Sequence, residues 1–366
     1  MKRSVVVLLA AAVSTAQQWQ IAKPEYRYEF PRDHFSHPKF QTEWWYYTGN
    51  LRDADGHRFG FELTFFRQAQ RLTPQQIAAS DPVWRPEQIY LAHLALSDIN
   101  GQKFFHTERL NRAGPGLAGA ALNEGKYWNG NWQSKWISLI TGEQNLQAAC
   151  DEMSLHVRLT PEKPFVIHGA DGVSRKGPVP DEASHYISYT RLAANGKLRW
   201  QNRKFVVSGL AWMDHEFFTE GADNDLAGWD WFAIQLDNRQ ELMLYRLRSK
   251  SGSDRFSSGT FVDAKGKSLF LNASQFNLQP LQTWHSLASG ATYPISWNIE
   301  VPSLGLKLTE RPALANQELF NSNSETPTYW EGAVTYDGTL GSASRHGVGY
   351  LEMTGYAGPM RGLGSP

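Results

Sequence analysis

The word GLAWMDHEFF, Gly209–Phe218, sets three titratable side chains among large apolar ones. Side chains along an extended strand alternate between faces, so Trp212, Asp214 and Glu216 share one face and Met213, His215 and Phe217 the other. A carboxyl packed beside Trp loses solvation, so its pKa rises and it keeps a proton to give near neutral pH. Asp214 and Glu216 are therefore candidate general acids, with His215 as the complementary acid or base. The same pattern also fits a charged strand end at the mouth of a barrel. A second word, QTEWWYYTGN at Gln41–Asn50, places Glu43 ahead of four consecutive aromatics. Rings at that density fill a core or wall a pocket. GWDWFAIQL sets Trp229 and Trp231 on one face with Asp230 opposite, and HYISYTR sets His185, Ile187 and Tyr189 together.

Other chemistries have no anchor. The histidines are scattered, His34, His37, His57 and His93 among them, and no pair has a recognised metal-ligand spacing. No nucleophile elbow, phosphate-binding loop or dinucleotide fingerprint occurs, so no metal and no cofactor is expected.

The elements that carry these words read as short strands. RFGFELTFFR follows a turn at Asp55-Gly56, and further hairpins turn at Asn100-Gly101 and Asn195-Gly196. One helix is expected, over Pro74–Arg85, and a long loop over Gly114–Gly130. A second series of strands starts at Lys204. Its hairpin YWEGAVTYDGTLGSASRHGVGYLEMTGY repeats the pattern of WWYYTGNLRDADGHRFGFELTFF: an aromatic start, a Gly, a polar turn, then an alternating strand. Strands at this spacing, mostly without helices between them, predict an all-β protein of antiparallel sandwiches or barrels. The halves divide near residue 200, giving domains over residues 30–199 and 200–360.

Composition agrees. The chain has 366 residues and 14 Trp, yet its mean hydropathy is −0.48, as expected for sheets with rings on one side and polar residues on the other. With 36 basic and 36 acidic residues there is no electrostatic case for nucleic acid as a partner. The N-terminus has Lys2 and Arg3, an apolar run Ser4–Val13 and the small residues Ser14-Thr15-Ala16. This reads as a signal peptide over residues 1–16, too short to span a bilayer, which predicts a secreted or periplasmic protein without a transmembrane segment after cleavage. Cys150 is the single cysteine, so no internal disulfide can form.

Five words in order, EWWYYTGNL with FGFELTFFR, GLAWMDHEF, GWDWFAIQLDN, YPISWNIEVP and YWEGAVTYDG, resemble the carotenoid 1,2-hydratase (hydroxyneurosporene synthase) family, the AttH/CrtC-like secreted proteins. The resemblance runs from about His34 to Tyr356. It implies two lipocalin-like β-barrel domains side by side and a pocket for a large apolar small molecule such as an isoprenoid, carotenoid or lipid. Family members include hydratases of isoprenoid double bonds, a fungal phytoalexin hydratase and fungal pericyclases, while other bacterial members accompany ABC exporter components. By word, the implied catalytic residues are Asp214, His215 and Glu216. Trp212, Trp229, Trp231, Glu43 and Trp44 are implied to bind substrate, with Tyr189 on a looser match. Two functions follow: a hydro-lyase adding water to an alkene, or a periplasmic carrier of an apolar ligand that serves an ABC exporter.

Overall fold

A computed structural model describes residues 19–358 apart from 80, 220–224, 253, 255, 321 and 323–325; the expected signal peptide lies outside the described residues. Among the described residues the strands form two curled, barrel-like antiparallel sheets, one of 13 strands and one of 10. In the first, the strand Arg203–Phe218 lies between Thr42–Arg52 and Ala183–Trp200. The hairpin partner Arg58–Ala69 and then Gln88–Asp98 extend it on the Thr42–Arg52 side. In the second, Leu226–Leu236 pairs with Glu241–Ser249 on one side and Ala343–Met353 on the other, and Tyr329–Leu340 follows. The division between sheets therefore falls after Phe218 and not near residue 200. Alternation reads each strand but not its neighbours, and Arg203–Phe218 closes onto the first sheet.

Two other expectations change. The helix covers only Pro74–Ala79, followed by a 3-10 turn at Pro82–Trp84. The residue before a proline is pushed out of the helical region, and Asp81 is indeed extended, its side chain accepting from the Val83 N–H. Within the expected loop, Ala118–Ala121 and Lys126–Asn129 pair as strands, anchored by the buried Tyr127 and Asn129.

Period-2 alternation distributes most of the aromatics among three large cores, with a smaller cluster around Phe40 and Phe217. Trp45 and Tyr47 point into the first sheet with Phe61, Phe65 and Met213. Phe232, Trp297, Trp330 and Tyr336 fill the second. A third cluster, including Tyr46, Tyr186, Trp212, Trp231 and Tyr245, lies between the sheets. There the two hairpins of similar pattern meet. A Cβ on Gly60 would lie 2.6 Å from Cβ of Ala333 and 2.9 Å from the Tyr350 hydroxyl, so only glycine permits this approach. Asn50 Nδ2 also donates to the Gly349 carbonyl at 3.0 Å.

Candidate active site

The space between the sheets opens into a cavity of about 860 Å³, its mouth included. Strand register builds it in rows. Ser188, Asp214, Tyr46, Thr64 and His93 are successive cross-strand partners on the outer face of the first sheet. Beside them runs Tyr186, Glu216, Trp44 and Phe66. The second sheet supplies the row Tyr245, Trp231, Glu352 and Glu331. Asp214, Glu216, Trp44, Trp229 and Trp231, all singled out in the sequence, line this cavity.

Asp214 is the most elaborately held group. Its Oδ1 accepts from Trp212 Nε1–H at 2.6 Å and from the Ser188 hydroxyl, and its Oδ2 accepts from the Tyr186 hydroxyl. Tyr186 oxygen in turn accepts from Trp231 Nε1–H at 2.9 Å. Because the Ser188 proton is committed to Asp214, Ser188 oxygen accepts from His168 Nε2–H at 2.7 Å, while Thr260 donates to His168 Nδ1 at 2.8 Å. His168 stays neutral, pushed down to about 3 by burial and then by Lys176. Burial dominates at Asp214 also, and outweighs its three donors to push the carboxyl up to about 7. Near neutrality the group can both give and take a proton.

Glu216 is held differently. It accepts from the Ser184 hydroxyl and lies 2.9 Å from Lys176 Nζ, which sits 4.3 Å over the Tyr245 ring. Burial alone would lower the Lys176 pKa, but Glu216 and Tyr245 hold it raised, so it stays an ammonium.

Three expected site residues lie elsewhere, and parity is the reason. Glu43, Tyr189 and His215 occupy the opposite face of the same strands, inside the first sheet. His215 Nε2 is 2.8 Å from Glu43 Oε1, which also takes His37 Nδ1 at 2.7 Å, and Glu43 Oε2 accepts from Arg67 Nε at 2.8 Å. Against the cost of burial, Arg67 and His37 keep Glu43 well below the carboxylate range, whereas burial lowers His215. His37, Glu43 and His215 have ligand atoms within 4.8 Å of one another, but the Arg67 guanidinium and the His37 ring already occupy Glu43. Tyr189 packs near Trp136 and Phe165, its hydroxyl 3.4 Å from His34 Nε2. Trp212 is buried between the sheets and reaches the cavity through its bond to Asp214. Sequence reasoning missed Tyr186, Ser188, Lys176, Glu331 and Glu352. Tyr186 was legible as the outward neighbour of His185 and Ile187; the others needed the register.

The AttH-like family model matches residues 21–356. The chain belongs to the AttH-like family. An AttH protein of known structure from Nitrosomonas europaea is 32% identical, covering 92% of this chain and 99% of its own, with a TM-score of 0.79. Kievitone hydratase from Nectria haematococca shares the fold of this AttH-like chain at 14% identity, covering 90% and 93%, with a TM-score of 0.68. Dehydratase asqC of Emericella nidulans is 23% identical over 151 residues, 39% of this chain and 42% of its own. The chain thus spans about two fifths of the length of the curated relatives it matches.

Proposed function

We propose that this protein is a cofactor-independent hydro-lyase that adds water to an alkene of a large apolar, isoprenoid-like substrate. The observation that carries the reading is Asp214: a carboxyl kept protonated near neutrality in a cavity walled by Trp44, Trp229, Trp231 and Tyr245. Asp214 gives its proton to one alkene carbon, and the other carbon becomes cationic. Aromatic faces stabilise that cation by roughly 0.5–2 kcal/mol each without trapping it. A water oxygen then bonds to the cationic carbon and its surplus proton returns to the Asp214 carboxylate, so the acid is regenerated. Since His215 lies on the other face, Asp214 performs both proton transfers, with Tyr186 and Ser188 holding its carboxylate between them. Glu216 and Lys176 form a fixed ion pair at the wall and shape the pocket. Relatives named as a hydratase and a dehydratase support the reaction class.

The aromatic walls favour one other reading, a carrier that binds an apolar ligand without reaction and serves an ABC exporter. On either reading the work is outside the cytoplasm, in the periplasm or secreted, on the strength of residues 1–16. A panel of isoprenoid alkenes, scored for the alcohol by mass spectrometry and for binding by Trp fluorescence, separates the two. Asp214→Asn is expected to lose about 10²- to 10⁴-fold in turnover with binding retained. Tight binding with no alcohol from the wild-type protein favours the carrier.

A further inference from the structure

The proton chemistry at Asp214 leaves unused a second acidic group of the cavity. Glu331 and Glu352 are direct cross-strand partners, and both line it. Glu62, fully buried in the first sheet, interacts electrostatically with both. Among the described lining residues Lys176 is the one permanent cation, and Glu216 already holds it. Carboxyls that share a water-poor space with no cation cannot all ionise, so they keep protons and become hydrogen-bond donors. Burial accordingly drives Glu62 and Glu352 up to about 8 and Glu331 well above the carboxylate range.

Beside them stands a second donor. Tyr46 is 7% exposed and Glu331 1%, and both line the cavity. The Tyr46 hydroxyl and Glu331 Oε1 are buried and near enough to act on each other electrostatically, yet neither meets a partner in hydrogen-bonding geometry. A polar atom buried without a partner costs roughly 1–3 kcal/mol, so two of them facing one cavity mark the place of a ligand atom. Tyr46 is also the direct cross-strand partner of Asp214, and such side chains stand about 5 Å apart at Cβ.

We propose that Tyr46 and Glu331 form a two-donor clamp for a carbonyl oxygen of the substrate, held within a few bonds of the double bond that meets Asp214. The clamp deepens the hydro-lyase reading by naming a functional group the substrate carries, but binding through it does not require turnover. Specificity follows from the unpaired donors: a ligand without the oxygen leaves both unsatisfied. The groups facing Glu331 are Glu62 and Tyr46 from the first sheet, Glu352 and Tyr350 from the adjacent strand and Tyr329 from its own. All are acids or phenols, so raising the pH removes the Glu331 proton and sets its negative charge against the ligand's lone pairs.

The test uses the full chain and Trp fluorescence, with three probes of one skeleton: geranylacetone, the hydrocarbon lacking its oxygen, and the matching primary amine. At about pH 6 the ketone is expected to bind roughly tenfold more tightly than the hydrocarbon, one net hydrogen bond's worth. That advantage should shrink in wild type as the pH is raised and persist in Glu331→Gln, whose amide still donates. Tyr46→Phe should weaken the ketone alone, with unchanged hydrocarbon affinity showing that the pocket is intact. Equal affinity for ketone and hydrocarbon overturns the clamp. So does tightest binding of the amine with affinity that grows with pH, which would make the cluster a cation site. Ketone preference without any turnover leaves the clamp standing and removes the hydratase; turnover without ketone preference does the reverse.

Discussion

Replacing Asp214 with Asn should stabilise the protein increasingly as pH rises. The carboxyl titrates near 3.8 when exposed and about 7 in the fold. Between those values the unfolded chain has released a proton that the native state still holds, so native stability falls with rising pH. Linkage at 1.36 kcal/mol per pH unit, taken from about pH 5 to about pH 7, makes the loss roughly 2.5 kcal/mol. Above the folded pKa it levels off. An Asn at the same place keeps its oxygen as acceptor for Ser188 and Trp212. Its amide can donate to the Tyr186 oxygen, so packing survives and this proton term disappears. Glu62 and Glu331 also titrate upward, but they do so in both proteins and cancel in the difference; Glu352, which the Asp214 charge helps to raise, is relieved in the variant and adds in the same direction. Urea unfolding of both proteins across this range is the assay. At about pH 5 the variant should be similar or about 1 kcal/mol weaker, and by about pH 8 it should be the more stable by roughly 1–2 kcal/mol. Parallel stability curves would show that Asp214 ionises normally, and the general acid would be lost with them.

Glu43→Gln should cost about 3–5 kcal/mol in urea unfolding because it leaves Arg67 buried without its carboxylate, while the affinity of the cavity for an apolar ligand stays the same. Changed ligand affinity at unchanged stability would place Glu43 at the cavity after all. Trp231→Phe removes the N–H that polarises the Tyr186 hydroxyl toward Asp214. The fall in kcat/KM on the alkaline side, expected near pH 7 in wild type, should then move up by less than about one unit. An unmoved limb would mean that Trp231 serves only as a wall.

Much of the site was legible from parity. Alternation along Gly209–Phe218 puts Asp214 and His215 on opposite sides of one strand, and the structure shows each side to be a separate world: a cavity and a buried ion network. What alternation cannot say is which side faces a ligand, since both faces of this strand are buried. Only the packing of a second sheet makes the outer face a pocket wall. The same limit hid Glu331 and Glu352, whose strands come late in the chain and reach Asp214 through contacts between sheets. It also misplaced the division near residue 200, because which strand pairs with Arg203–Phe218 is decided by long-range closure and not by local pattern. His185, Ile187 and Tyr189 were read correctly as one face, yet the cavity lies on the other side of the strand, where Tyr186 and Ser188 hold Asp214. The aromatic run Trp44–Tyr47 answers to both roles, two rings to each side.

The central claim is that Asp214 delivers a proton to carbon and that water supplies the new oxygen. Incubating the full chain with isoprenoid alkenes that carry no exchangeable carbonyl, in isotopically labelled water with oxygen-18 and deuterium supplied separately, tests both halves by mass spectrometry of the product. The account predicts an alcohol carrying one solvent oxygen and one carbon-bound solvent hydrogen from the wild-type protein, and neither label from Asp214→Asn. Labelled alcohol formed equally by the variant, or saturable binding with no label incorporated by wild type, would contradict it.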